Sequence, residues 1–311
     1  MAITINTNLS SMIVQSNLSS QIVQTNLNKA TNSLNKAIER MTTGYKINHA
    51  ADNAAGYSIA RSWEAKLGSL DVAADNAATG ADMLSTLEDH YALVSTHLQR
   101  VRDLTEQAAN GTYGQQSLEA IQSEITARLE EIDRIAANCE FGGVDLMQGM
   151  DHDIYLQVGL DSTPEKSAIK LDRTLFAEGD VKSLFTVEAG DGVAAEDVYT
   201  PDNKATIAAD CANLGGTGRP TAAKMLEKID AVINNISKRV TTLGAAQNRV
   251  ESAIESIAVQ SENITSSLST LRDADVAQES SNFLKAQILQ QASATLLATA
   301  NQSPSIALNL L

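Results

Sequence analysis

The sequence predicts a mainly α fold: an elongated antiparallel coiled-coil or helical bundle, with a small β-hairpin and a short loop-rich middle. Three observations carry this expectation. Prolines are absent from 1–163 and from 221–303, so two long arms lack the residue that breaks helix interiors. The second arm repeats apolar residues every seven positions. Aromatic residues are only 4% of the chain, too few to fill the thick core that aromatic side chains usually dominate.

The elements follow in order. A first helix carries the seam Val23, Leu27, Leu34 and Met41 and breaks at Gly44. Leu84, Leu87, Tyr91, Val94, Leu98, Val101 and Ala108 follow helical spacing, as do Leu118, Ile121, Ile125, Ile132 and Ile135. Between them Asn110-Gly111-Thr112-Tyr113-Gly114 signals a turn. After a break at Cys139-Glu140-Phe141-Gly142-Gly143, the segments 154–158 and 167–171 read as the two strands of a hairpin. The middle holds Pro164, Pro201 and Pro220 with several glycines, and 151–210 carries 13 acids against 5 bases. That stretch is expected to be the most solvated. In the last arm, Ile229, Ile236, Leu243, Val250, Ile257, Ile264 and Leu271 form one heptad row. Leu226, Ile233, Val240, Gln247, Ile254, Ser261 and Leu268 form the complementary one, a coiled-coil pattern. Expected divisions are 1–43 and 272–311 as terminal helices, 44–178 and 221–271 as the bundle, and 179–220 as a short surface region.

The two ends differ from the arms. Leu9, Ile13, Val14, Leu18, Ile22, Val23 and Leu27 put apolar groups around more than one helix face. Leu284, Ile288, Leu289, Leu296, Leu297, Ile306, Leu308, Leu310 and Leu311 do the same at the far end. A helix apolar on several sides needs cover on several sides, which implies neighbouring copies; the alternative is that the ends pack on each other. Val14-Gln15-Ser16-Asn17-Leu18-Ser19 also recurs nine positions on as Val23-Gln24-Thr25-Asn26-Leu27-Asn28. Nine residues are about two and a half turns, so the copies face opposite ways, as a tandem duplication lengthening the first helix.

Composition excludes several classes of function. There are 23 Lys and Arg against 38 Asp and Glu, a net charge of −15. Nucleic-acid binding needs basic patches, and anionic membrane surfaces repel such a chain. No run of 18 apolar residues suggests a membrane span. The N-terminal residues form no secretory signal. Cys139 and Cys211 make no short-spaced metal or redox motif; they read as two separate thiols, with a disulfide as the alternative. No His-Glu-x-x-His, P-loop, dinucleotide fingerprint or Gly-x-Ser-x-Gly occurs. His90 and His97, seven apart, read as surface or seam residues before a two-histidine metal site, and Asp151-His152-Asp153 reads as a solvated loop. No catalytic residue, cofactor or metal is expected.

Several motifs together resemble bacterial flagellin. They are Ile5-Asn6-Thr7-Asn8, the run Ala37 to Asn48 around Glu39-Arg40-Met41-Thr42-Thr43-Gly44, Ala51-Asp52-Asn53-Ala54-Ala55-Gly56, Leu98-Gln99-Arg100-Val101-Arg102-Asp103-Leu104, and Ala286-Gln287-Ile288-Leu289-Gln290-Gln291-Ala292 with the leucine-rich tail. The resemblance covers about 1–160 and 220–311. The nine-residue repeat and Cys139-Glu140-Phe141-Gly142-Gly143 depart from the family's pattern. Hook–filament junction proteins have related ends but typically Asp-Asp-Pro where this chain has Asp52-Asn53-Ala54.

The resemblance implies a structural subunit of the extracellular flagellar filament, exported unfolded through the flagellar type III channel. Its terminal helices would complete their fold on assembly. It implies self-association at Leu9, Ile13, Leu18, Ile22, Leu27, Leu284, Ile288, Leu289, Leu296, Leu297, Leu308 and Leu311. Implied partners are an export chaperone, cap and junction proteins, and the flagellin-sensing Toll-like receptor. The implied receptor residues are Gln99, Arg100, Arg102 and Leu104, with Glu124 on the following helix and Leu104 as an apolar anchor; the alternative is that they only contact the next subunit along the filament. The hairpin is the implied switch between subunit packings. The competing readings are a junction or cap-type protein of the same export system, and a secreted enzyme with activity in 172–220.

Overall fold

The computed structural model describes residues 5–161, 163, 167–186, 201, 203–213 and 221–309. Seven α-helices are present among them: α1 (Ile5–Thr43), α2 (Ala54–Ala109), α3 (Gln115–Ala137), α4 (Val181–Phe185), α5 (Lys204–Cys211), α6 (Ala222–Arg272) and α7 (Val276–Asn309). Four short strands pair as two antiparallel hairpins: β1 (Glu140–Phe141) with β2 (Val144–Asp145), and β3 (Ile154–Gln157) with β4 (Ala168–Leu171). The chain forms two compact units. One comprises 68–261; the other joins 1–67 to 262–311.

The core of the 68–261 unit is a set of helix stripes. On α2 the predicted row from Leu84 to Ala108 is buried throughout, and on α3 so are Leu118, Ile121, Ile125, Ile132 and Ile135, joined by Leu129. On α6 the first heptad row is buried at Ile229, Ile236, Leu243, Val250 and Ile257, while Leu226, Ile233, Val240 and Ile254 of the second are half-buried. Met225, Val232 and Ala246 are buried instead. A two-row seam suits one partner helix, whereas a helix inside a bundle buries a wider face. The polar interruption at Gln247 is satisfied: its Nε2 donates to Glu88 Oε2 at 2.8 Å. A half-buried amide is therefore held by a charge-assisted bond, the kind that leaves no polar group unpaired in a seam.

The β3–β4 register pairs Ile154 with Leu171 and Gln157 with Ala168, and Val158 N–H donates to Ser167 O at 2.8 Å, so the hairpin lies where the alternation predicted. Its turn falls partly outside the described residues. Leu156 occupies the space above Gly80 of α2, where a Cβ would collide with the leucine methyls. Asn76 Nδ2 donates to Gln157 O at 3.2 Å. A helical glycine costs about 1 kcal/mol relative to Ala, and here it makes the seat for a strand. The β1–β2 hairpin was not foreseen. Gly142 and Gly143 turn it with φ of 60° and 85°, a conformation open to glycine; the Gly-Gly pair was the available signal.

The described part of the middle is less solvated than expected. Leu175, Phe176, Val181, Leu184, Phe185, Ile207, Ala208 and Cys211 are all buried. Its acids serve another purpose. Asp172 accepts from Thr174 N–H at 3.0 Å and Asp180 from Ser183 N–H at 3.3 Å, capping a short 3₁₀ turn (Arg173–Phe176) and α4. Asn203 caps α5 in the same way. Cap residues satisfy helix-start amides, so acid density here marks helix starts as well as surface. Tyr91 Oη donates to Leu175 O at 3.2 Å, and Arg239 Nη1 donates to Glu178 O at 2.9 Å. Residues 187–200 and 214–220 lie outside the described residues. Cys139 and Cys211 are free and buried. Desolvation pushes their thiols up to about 11 and about 12.

The open end of the β3–β4 hairpin is clamped by Asp153, whose carboxylate takes Lys170 Nζ at 2.9 Å and Arg173 N–H at 2.9 Å. Its pKa lies below the ordinary 3.8, first because of the Lys170 hydrogen bond and then the Arg173 amide. A depressed carboxylate stabilises the fold above its unfolded pKa and loses that contribution as pH falls through the lower folded value. The hairpin amides are therefore expected to lose protection below about pH 4 in native chain, and to do so at neutral pH in Asp153→Asn. Amide hydrogen exchange against pH measures both.

Candidate assembly surface

In the unit formed by 1–67 and 262–311, α1 and α7 lie antiparallel. Arg40 Nη1 meets Glu279 Oε1 at 3.2 Å, and Gln290 Nε2 donates to Thr31 Oγ1 at 3.1 Å. Ala30, Ala37 and Ala286 are buried between the helices, and such small residues let two backbones approach closely. Val23, Leu27 and Leu34 flank them half-buried, and Met41 at the end of the predicted row is exposed. The terminal helices therefore pair with each other within one chain. Glu279 is 8% exposed, and its charge is balanced by Arg40, by Asn282 Nδ2 at 3.3 Å and by its place in the first turn of α7, where helix amides favour an anion.

The loops beside this pair are tied together. Lys46 N–H donates to Arg272 O at 2.7 Å and Ala274 N–H to Gly44 O at 2.7 Å, around a single bridge between Tyr45 and Asp273. The Arg272 guanidinium stacks on the Tyr45 ring at 4.0 Å and pairs with Glu64. Gly44 takes φ of 75°, the conformation that ends a helix at low cost in glycine. Asn53 accepts from Gly56 N–H at 3.0 Å, starting α2. Asp52 accepts from His49 N–H at 3.2 Å, and that backbone bond is the leading cause of its lowered pKa. The Ala51 to Gly56 motif is thus a turn and helix-cap device.

The outer faces of α1 and α7 remain uncovered. Leu18 and Ile22 are 57% and 55% exposed; Leu284, Ile288, Leu289 and Leu296 range from 48% to 64%. Leu27 and Leu297 are half-buried. Leu311 and the side chains of Leu9, Ile13 and Leu308 fall outside what is described. A signal overlooked in the sequence sharpens this surface. No charged residue occurs in 1–28 or in 286–311, although the chain carries 61 ionisable acids and bases elsewhere counted as Lys, Arg, Asp and Glu. Charge depletion is the compositional mark of an interface core.

The residues grouped as a receptor patch sit in the other unit. Arg100 reaches Glu124 through Nε at 3.0 Å and Nη2 at 2.8 Å, linking α2 to α3. Arg102 Nε meets Asp230 Oδ1 at 2.6 Å, linking α2 to α6. Gln99 and Arg100 are exposed, and Arg102 and Glu124 partly so. Leu104 departs from expectation: it is 2% exposed and belongs to the core. Its position falls on the stripe of Leu98 and Val101, one turn on, so it cannot serve as an exposed anchor. Among the described residues, no group of His, Cys, Asp and Glu is arranged to hold a metal ion.

Two family models match: the bacterial flagellin N-terminal helical region over 5–152 and the bacterial flagellin C-terminal helical region over 226–311. The flagellin of Bacillus subtilis (strain 168) is 36% identical, over 89% of this chain and 92% of the relative. The chain belongs to the bacterial flagellin family. Flagellin A of Vibrio anguillarum is 32% identical with both chains covered in full. A provisionally named flagellar hook-associated protein from Vibrio parahaemolyticus shares the fold, with a TM-score of 0.56 at 14% identity over 71% of this chain and 100% of that one. Flagellins are structural proteins, and the chain is a subunit of the extracellular bacterial flagellar filament. No described helix is long and apolar enough to cross a membrane.

The α1–α7 pair is open to a direct test. Glu279→Gln removes the charge that Arg40 faces and is expected to weaken the pair by about 1–3 kcal/mol. Amide exchange should quicken in α1 and α7 while the buried stripes of α2 and α3 keep their protection.

Proposed function

We propose that the filament contacts of this flagellin are made by 1–43 and 272–311, with Leu18, Ile22, Leu284, Ile288, Leu289 and Leu296 among the residues buried on assembly. The observation that carries this is the coincidence of exposed apolar faces with two charge-free segments. Leu27 and Leu297 contribute to the same contacts from the edge of the α1–α7 seam, and Leu9, Ile13, Leu308 and Leu311 extend them. Each face left in water costs about 25 cal/mol per Å² of apolar surface, which polymerisation recovers. Export unfolded through the flagellar type III channel, in company with a chaperone, cap and junction proteins, belongs to the same reading. A chain lacking 1–39 or 272–311 is expected not to elongate filament seeds, with the helices of the 68–261 unit retained. Electron microscopy and circular dichroism report the two outcomes, and normal filaments from either truncation would refute the assignment. Elongation by the full chain also separates it from a junction or cap-type protein.

A second role rests on a separate surface. We infer recognition by the flagellin-sensing Toll-like receptor through Gln99, Arg100, Arg102 and Glu124. The paired Arg100 and Glu124 offer a planar cation held in place across two helices, and Arg is enriched among interface hot spots. Leu104 acts from beneath, as core support for that face. Arg100→Ala is expected to reduce reporter-cell signalling by soluble monomer at least tenfold without unfolding the chain; an unchanged signal sinks the inference.

A further inference from the structure

The two copies of the nine-residue repeat have different fates in the fold. In the second copy, Val23 and Leu27 are half-buried beside Ala30 and Ala37 in the α7 seam. In the first, Val14 and Leu18 are 67% and 57% exposed, and Ile22 is 55% exposed. At about 100° per residue, Val14, Leu18 and Ile22 form one stripe within about 80°. That stripe lies about 140° around the helix from the seam formed by Val23, Leu27, Ala30, Leu34 and Ala37. Further along α1 the same outer positions hold Thr25, Lys29, Asn32 and Lys36, all polar and exposed. The outer stripe is therefore confined to the first copy. Val23 and Leu27 of the second copy lie on the α7 seam.

We propose that the first copy, 14–22, is a docking element for a second copy of this chain. Its stripe seats in the groove between α1 and α7 of the neighbouring subunit, a groove of about 690 Å³ whose lining includes Ala30, Ser33, Leu289, Ala292 and Leu296. This rests on the filament assignment and adds to it a specific contact. Three observations select the occupant. The stripe and groove are both carried by the α1–α7 pair of every copy, so one heterologous contact repeated identically generates an open helical polymer. The stripe lies in the charge-free 1–28 segment, so it brings no ion of its own into the groove. The groove's α7 wall from Ala286 to Leu296 carries no charge, its cations being Lys29, Lys36 and Arg40 on α1 and Lys285 at the near edge of that wall.

The test is the critical concentration for elongation of filament seeds. The double variant Leu18→Gln/Ile22→Gln is expected to raise it at least tenfold, with monomer circular dichroism unchanged because both side chains are exposed in the monomer. Deleting 14–22 joins Ile13 to Val23, retains the seam, and is expected to raise it similarly; should that variant fail to fold, the substitutions decide. Leu296→Gln is expected to act from the groove side. Combined with the stripe variant it should add little, as two sides of one contact do. A critical concentration within twofold of native for the stripe variant overturns the proposal, as does a fully multiplicative effect of stripe and groove changes. Failure of the unchanged chain to elongate at all overturns the filament assignment and this contact with it.

Discussion

A helix that is apolar on two faces requires cover on both, and the organisation of the terminal helices follows from how that requirement is met. In α1 the seam of small residues centred on Ala30 and Ala37 takes α7 as its partner. The opposite stripe stays in water. The single chain therefore satisfies half of the demand and leaves the rest exposed. Charged side chains are absent from 1–28 and 286–311, which suits surfaces that can be buried, since burying an unpaired ion costs far more than burying a leucine.

The 68–261 unit solves a different problem with the same materials. With few aromatic residues available, its core is built as stripes of Leu, Ile, Val and Ala along α2, α3 and α6, and the largest buried aromatics, Tyr91, Phe176 and Phe185, gather where the middle segment packs. Polar groups that enter this core arrive with partners. Gln247 meets Glu88, and Tyr91 reaches the Leu175 carbonyl. The exposed ion pairs, Arg100–Glu124 and Arg102–Asp230, tie α2 to its two neighbours. Pairs so exposed contribute little stability, and their value lies in fixing where the guanidinium groups point.

Much of the fold was legible in the sequence because its signals are local. Proline-free arms, the Asn110 to Gly114 turn, the Gly44 break and the 154–171 hairpin each follow from steric rules that act over a few residues. Leu104 and the middle segment were misread for the same reason. A leucine within a run of charged residues, and a stretch rich in acids, look solvated in one dimension. Burial of Leu104 follows from its place on the Leu98–Val101 stripe, and Asp172 and Asp180 are acids because they cap helix starts.

By itself the sequence determined the helices, their apolar faces, the opposed orientation of the repeat copies and the absence of charge at the ends, because periodicity and composition are properties of the chain alone. Only the tertiary structure decided which face of α1 is taken by α7, that Arg100 and Arg102 are held by Glu124 and Asp230, and that the acidic middle contributes Phe176 and Phe185 to the core. A pattern specifies that a face must be buried. Which surface buries it depends on contacts between residues hundreds of positions apart, and these exist only once the chain has folded.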